Sequence, residues 1–162
     1  MRNKFEAIVC FAKSMIHVLK LSLGFFLILI FKTTVSYSQV FENANEAFSN
    51  ASSSNKKVLL VFSGSDWCAP CVQLENKILF TKTFLDFANK NLIVVHADFP
   101  QRKKLPKEAQ LQNEALAAKY NPSGNFPEIV LLNADQSILK KLVYTNQTTD
   151  EFIIEITPYL SK

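Results

Sequence analysis

The chain has 162 residues, of which 48% are hydrophobic and 20% are charged, with 18 lysine and arginine residues against 14 aspartate and glutamate residues. This length predicts one small domain with a core of its own, and three cysteines exclude a framework of several disulfides. The formal net charge of +4 is too small to indicate a nucleic-acid-binding surface by itself.

The first feature in chain order is an apolar stretch near the N-terminus. Residues 21–31 are apolar apart from Ser22 and Gly24, and basic residues precede them. This pattern is typical of a secretory signal peptide. The stretch is shorter than the roughly 20 residues that a membrane-spanning helix needs.

Cleavage is predicted after Ser38, because small residues stand there at alternating positions. The chain would then consist of a signal peptide over residues 1–38 and a domain over residues 39–162. The alternative is an uncleaved membrane anchor that extends back through Met15, although Lys20 interrupts that extension.

Removal of the signal peptide changes both the charge and the cysteine content. It takes away five basic residues, Glu6 and Cys10, and leaves 13 basic and 13 acidic residues with two cysteines. The exported domain is therefore formally neutral. The remaining basic cluster, Arg102–Lys104, has no interleaved aromatic residues and is interpreted as a solvated loop, so no nucleic-acid binding is predicted.

Two hydrophobic patterns predict the first elements of the domain. An amphipathic helix is predicted where apolar residues recur at helical spacing, at Phe41, Ala44, Ala47, Phe48 and Ala51. Strands covered on both faces are continuous apolar runs rather than alternating ones. Three such runs predict central strands, over Val58–Phe62, Leu92–Val95 and Ile129–Leu132.

Helical segments separate these strands. They are predicted from Cys68 to about Phe80, near Thr83–Lys90 and from about Pro106 to Tyr120, and both crossovers are long enough for parallel strand pairing. The residues expected to face the core from the helices are Leu105, Ala109, Leu116, Tyr120, Phe84, Phe87, Phe152, Ile153, Ile156 and Leu160.

An edge strand and a final helix complete the chain. Ser137–Tyr144 is predicted to be an antiparallel edge strand, and Thr148 with Glu151 has the spacing of a capping box. The predicted fold is α/β, with a central mixed sheet flanked by helices in the order β-α-β-α-β-β-α and an extra N-terminal helix.

The motif Trp67-Cys68-Ala69-Pro70-Cys71 lies between the first strand and the helix that follows it. At a helix N-terminus, unpaired amide donors and the positive end of the helix dipole favour a thiolate, so Cys68 is the predicted nucleophile. Cys71 lies three residues later on the same helix face and is the predicted resolving thiol. Pro70 is compatible with the first helical turn. The motif therefore predicts reversible disulfide chemistry.

Two other interpretations of the cysteines remain open at this point. The pair could form a fixed structural disulfide. A zinc site is disfavoured, because structural zinc usually has four ligands and the exported domain offers two thiols and His96, which is interpreted as a strand-end residue. No metal site is predicted.

Residues 58–75 resemble the active-site segment of thioredoxin-fold proteins, and Gly124–Pro127 before an apolar strand resembles the cis-proline loop of that family. The resemblance implies that Pro127 is cis and lies against the cysteine pair. It also implies that Trp67 and Phe126 help to bind substrate, with the backbone of Phe126 pairing with an extended peptide.

This sequence departs from the family at one position. Phe62 stands where many thioredoxins carry a buried acid that assists proton transfer. Asp66 and Glu75 flank the motif, and both are predicted to be solvated rather than buried.

The resemblance implies a thiol-disulfide oxidoreductase that uses Cys68 and Cys71 and needs no cofactor. The proline before Cys71 favours a reductase of disulfides in exported proteins, and a periplasmic, monomeric protein supplied by a membrane-borne thiol donor is expected. The alternatives are a disulfide oxidase or isomerase, and a non-enzymatic peptide-binding or chaperone module with the same fold.

Overall fold

The structure is a computed structural model, and it describes residues 40–160. The predicted signal peptide, its cleavage point and Cys10 lie outside these residues. Within residues 40–160, no helix is both long enough and apolar enough to cross a membrane.

A five-stranded mixed sheet forms the centre of the described region, with the strand order β1-β3-β2-β4-β5. The α/β fold predicted from the sequence is confirmed. The strands are β1 (Val40–Phe41), β2 (Lys57–Ser63), β3 (Leu92–Asp98), β4 (Glu128–Leu132) and β5 (Ile138–Leu142).

The three apolar runs occupy the middle of the sheet, as predicted. Strand β2 pairs in parallel with β3 and antiparallel with β4, while β5 forms an antiparallel edge. The second crossover therefore leads to an antiparallel strand, although its length also permits parallel pairing. Connection length therefore permits both directions and does not select one.

Within residues 40–160, five α-helices flank the sheet: α1 (Ala44–Ser54), α2 (Ala69–Leu74), α3 (Lys82–Asn91), α4 (Lys107–Tyr120) and α5 (Thr149–Ile156). A 3-10 turn, Thr157–Tyr159, follows α5. The predicted capping box is present, because Thr148 accepts from the Glu151 backbone and the Glu151 side chain accepts from the Thr148 backbone.

The prediction that Phe41 belongs to the first helix is wrong. Phe41 lies in β1, which pairs with β3 at Val95, and α1 begins only at Ala44 after the Asn43 side chain accepts hydrogen bonds from two backbone amides. Phe41 nevertheless continues the helical spacing of apolar residues to the other side of the Asn43 cap, because it packs into the same apolar cluster as Phe48.

The helix predicted from Cys68 to Phe80 is divided. It is α-helical over α2 and continues as a π-helical turn over Glu75–Leu79, in which the Phe80 amide donates to the Glu75 carbonyl at 2.9 Å. π-helical turns are uncommon and occur frequently at functional sites.

The core of the described region consists of two apolar clusters, one on each face of the sheet. Alternate residues of β2 divide between them: Leu60 and Phe62 face α1 and α4, whereas Leu59 and Val61 face α2, α3 and α5. Because all four are fully buried, β2 is fixed from both sides, and the turn that follows its last residue projects from a rigid support.

Candidate active site at the end of strand β2

The two cysteines of the motif form a disulfide at the start of helix α2. Their Sγ atoms are bonded at 2.02 Å, and Cys68 is the N-cap residue of the helix. Cys71 is completely buried, and Cys68 is only 5% exposed. Cys68 is therefore the slightly more accessible residue of the pair.

The N-terminus of α2 provides hydrogen bonding to the Cys68 sulfur. The Cys71 amide donates to Cys68 Sγ at 3.3 Å, and Pro70 occupies the first turn, where its missing N–H leaves no helical hydrogen bond unmade. An amide donor and the helix dipole both stabilise negative charge on sulfur. The geometry thus supports a thiolate at Cys68 when the pair is reduced.

A tight turn carries the chain from β2 to the cysteines. The Gly64 carbonyl accepts from the amides of Trp67 at 3.2 Å and Cys68 at 2.8 Å. The Trp67 indole covers Gly64 so closely that a Cβ added there would lie 2.3 Å from its Cε2 atom. Glycine at position 64 therefore permits the indole to lie flat over the turn.

The Phe126–Pro127 peptide bond is cis, as the resemblance implied. The Phe126 ring contacts Trp67 edge-on, with centroids 5.2 Å apart, and also contacts Phe99 at 5.5 Å. The loop before it is held by Asn121, which is 3% exposed and bonds to both the amide and the carbonyl of Asn125. Three aromatic rings thus border the cysteine turn.

The prediction that Glu75 is solvated is wrong. Glu75 is 8% exposed, and its Oε1 accepts hydrogen bonds from the Ser63 hydroxyl and from Nε2 of His96, the latter at 2.9 Å. Glu75 lies one helical turn after Cys71, and its amide donates to the Cys71 carbonyl. The helix face that buries Cys71 therefore also buries Glu75.

The charge state of Glu75 follows from its partners. Burial by itself would raise the pKa of Glu75, but the hydrogen bonds from His96 and Ser63 and electrostatic interactions with His96 and Lys103 lower that pKa below its usual value of 4.5. Glu75 is consequently an anion at neutral pH.

The prediction that His96 is a strand-end residue is wrong, because β3 continues to Asp98.

Two carboxylates hold the cysteine turn against the loop after β3. Asp66 accepts from the backbone amides of Gln101, Arg102 and Lys103 at 2.9, 2.8 and 3.3 Å, and these bonds lower its pKa. Asp98 accepts from the amide and hydroxyl of Ser65 at 2.9 and 2.6 Å. Asp66 is partly exposed, in agreement with the prediction. Its carboxylate anchors the loop after β3 to the cysteine turn.

The structure brings together the predicted site residues. Cys68, Cys71, Trp67 and Phe126 lie around the end of β2, and Pro127 immediately follows Phe126. The residues missed from the sequence are Phe99, Ser63, Ser65 and Asp98. Glu75 follows Cys71 by four residues, and this spacing indicates that the two side chains share a helix face. A histidine within an apolar strand indicates that a buried polar partner lies near it. No group of three potential metal ligands occurs among residues 40–160.

The fold and the cysteine pair define a thioredoxin-fold protein with a CxxC site at the first turn of a helix. The Thioredoxin-like family model matches residues 38–134, and the chain belongs to that family. One relative, the disulfide bond reductase DsbH of Chlamydia pneumoniae, is 36% identical over 101 residues, which are 62% of this chain and 60% of that protein. The chain thus spans less than two thirds of that relative's length.

Solved structures agree with the family assignment. A structure of a DsbH oxidoreductase has a TM-score of 0.70 and 28% identity, and the match covers 80% of this chain and 90% of that one. A thioredoxin from Thermus thermophilus matches with a TM-score of 0.55 and 17% identity over 75% of this chain and 87% of that one. The second likeness concerns the fold alone.

Proposed function

We propose that this protein is a thiol-disulfide oxidoreductase that reduces disulfides of exported proteins. The observation that carries the proposal is the Cys68–Cys71 disulfide at the N-terminus of α2, in which Cys68 Sγ accepts a hydrogen bond from the Cys71 amide. A fixed structural disulfide would gain nothing from a thiolate-stabilising position beside an exposed tryptophan. Reversible disulfide chemistry uses both the stabilised thiolate and the exposed tryptophan beside it.

The reaction begins with the reduced pair. The Cys68 thiolate attacks one sulfur of a substrate disulfide, the substrate S–S bond breaks, and the departing sulfur takes up a proton. Cys71 then loses its proton and attacks Cys68 Sγ, which releases the second substrate sulfur as a thiol. The substrate gains two electrons, and the protein is left with the Cys68–Cys71 disulfide.

The aromatic residues around the turn are proposed to bind the substrate. Trp67 is 39% exposed and contacts Phe126, so the two rings form an apolar surface beside Cys68. The Phe126 backbone, directly before Pro127, is proposed to pair with an extended substrate segment. A peptide held in this way would present its disulfide to Cys68 Sγ.

The direction of the reaction is proposed from two observations. Pro70 precedes Cys71, whereas a histidine there would add a positive charge that stabilises the reduced form and favours an oxidant. The similar Chlamydia protein is named a reductase. An exported reductase must be reduced again, so we propose a membrane-borne dithiol protein as electron donor and the periplasm as compartment.

A trapping experiment tests the enzymatic proposal. In a Cys71→Ser variant the mixed disulfide on Cys68 cannot be resolved, so covalent complexes with exported proteins should accumulate. Cys68→Ser is the matched control and should trap none. If Cys71→Ser yields no complexes and the wild type reduces no disulfide peptide, the enzymatic proposal is wrong and a peptide-binding module explains the site better.

The reduction potential of the pair tests the direction. It can be measured in glutathione and dithiothreitol buffers through the fluorescence of Trp67, the single tryptophan of the chain. A potential near ~−270 mV supports a reductase, whereas one near ~−120 mV would indicate an oxidant.

A further inference from the structure

We propose that the basic loop Arg102–Lys104 is a specificity surface that selects substrates with acidic residues near their disulfide. This inference rests on the proposed function, because it assigns a substrate class to the same site. It gives a role to a charge cluster that the redox chemistry leaves unused.

The loop is attached to the cysteine turn by backbone contacts. Asp66 accepts from the amides of Arg102 and Lys103, and the Trp67 indole N–H donates to the Phe99 carbonyl at 2.7 Å. At the base of the loop, the Phe99 amide donates to the Ser63 carbonyl at 2.8 Å. The backbone of Arg102 and Lys103 is therefore held at Asp66, two residues before Cys68.

The cations of this loop are available to a ligand. Arg102, Lys103 and Lys104 are all exposed, and no carboxylate of residues 40–160 lies within ion-pair distance of them. Elsewhere in the same range, Lys82 pairs with Asp86 and Lys141 with Glu128.

The acids nearest this loop already bind other groups, although the charge of Arg102 also lowers the pKa of Asp66. Asp66 and Asp98 bind backbone amides and Ser65, as described above, and Glu114 accepts from Gln110 at 2.8 Å. Glu75 is buried with His96, although Lys103 still lowers the Glu75 pKa through its charge.

An acidic peptide is the partner that this surface fits. The rings of Trp67, Phe99 and Phe126 offer apolar contact beside Cys68, and the loop adds three positive charges at the side where Phe99 lies. Exposed charges of this kind act mainly on encounter and selectivity, and they weaken as salt increases. A basic segment beside the disulfide would be repelled by the same charges.

The test compares two disulfide peptides that differ only in having four aspartates or four lysines around the cysteine. With the reduced full chain at low ionic strength, kcat/KM for the acidic peptide should exceed that for the basic one by roughly tenfold, since each exposed pair contributes modestly. The ratio should approach one at about 1 M salt, where the screening length is about 3 Å.

Charge variants assign the effect to the loop. The combined variant R102Q, K103Q and K104Q should bring the ratio close to one, and R102E, K103E and K104E should invert it, which a loss of folding cannot do. The loop amides that bind Asp66 are backbone groups and remain in both variants. The control K90Q, K119Q and K140Q removes the same charge at positions outside the basic loop and the cysteine turn and should keep the wild-type ratio.

Each remaining outcome counts against the inference. A wild-type ratio near one, a preference retained by the loop variants, or a ratio lost equally in the control would overturn it while leaving disulfide reduction intact. If the wild type reduces neither peptide, the proposed function fails and the inference fails with it.

Discussion

Nε2 of His96 lies 2.9 Å from Oε1 of Glu75, and the two side chains join strand β3 to the helix that carries the cysteines. Both are largely buried, with side-chain exposures of 14% and 11%. The Ser63 hydroxyl, at the end of β2, binds the same carboxylate oxygen. One buried anion thus ties the cysteine helix to two central strands.

This contact predicts a stability that depends on pH. The folded-state pKa of Glu75 is lowered from 4.5, so the carboxylate stabilises the fold fully above that value and the stabilisation is lost as the pH falls through the lower folded pKa. Urea unfolding of the wild type and Glu75→Gln should therefore differ most near neutral pH and converge in acid. Parallel free-energy curves for the two proteins at all pH values would contradict this prediction.

Gly64→Ala should displace the Trp67 indole. The added Cβ would lie 2.3 Å from Cε2, so the ring must move and lose its hydrogen bond to the Phe99 carbonyl. We expect a cost of roughly 1–3 kcal/mol in the free energy of unfolding and a shift in tryptophan fluorescence.

Gly124→Ala is the matched control for that change. Gly124 has a φ of 66° and no atom within 4 Å of an added Cβ, so alanine there strains the backbone without touching Trp67. If both variants shift the fluorescence equally, contact at Gly64 does not fix the indole.

Asp66→Asn should loosen the loop after β3. An amide accepts more weakly than a carboxylate, and three backbone donors, Gln101, Arg102 and Lys103, depend on this side chain. Hydrogen exchange of those three amides should become faster while exchange in β2 stays slow. Unchanged protection would mean that the Ser65–Asp98 contacts hold the loop by themselves.

Phe126→Ala should weaken the use of peptide substrates more than that of small disulfides. The substitution removes edge contacts with Trp67 and Phe99, each worth about 0.5–1.5 kcal/mol, and the surface proposed to hold the peptide. We expect kcat/KM to fall several-fold for a disulfide peptide and little for a small aromatic disulfide. Equal losses with both would indicate a disturbed cysteine pair instead.

The sequence predicts the cysteine motif more completely than it predicts the surroundings of that motif. The position of Cys68 at a helix start, the central strands and the Thr148 cap follow from local patterns, because spacing and cap chemistry act over a few residues. The cis bond before Pro127 was implied by family resemblance and not by composition. The burial of Glu75 was missed because its partners, Ser63 and His96, are 12 and 21 residues away.

Local properties of the chain specify most of the strands and helices and the two cysteines at a helix start, since hydrophobic period, capping residues and CxxC spacing each involve only a few residues. Contacts between residues distant in the chain fix three other features: β4 runs antiparallel, Asp66 and Asp98 join the cysteine turn to β3 and the loop after it, and Glu75 is a buried anion. Those outcomes depend on which distant groups meet when the two faces of the sheet are covered, and burial leaves a carboxylate charged only where such partners compensate its lost hydration.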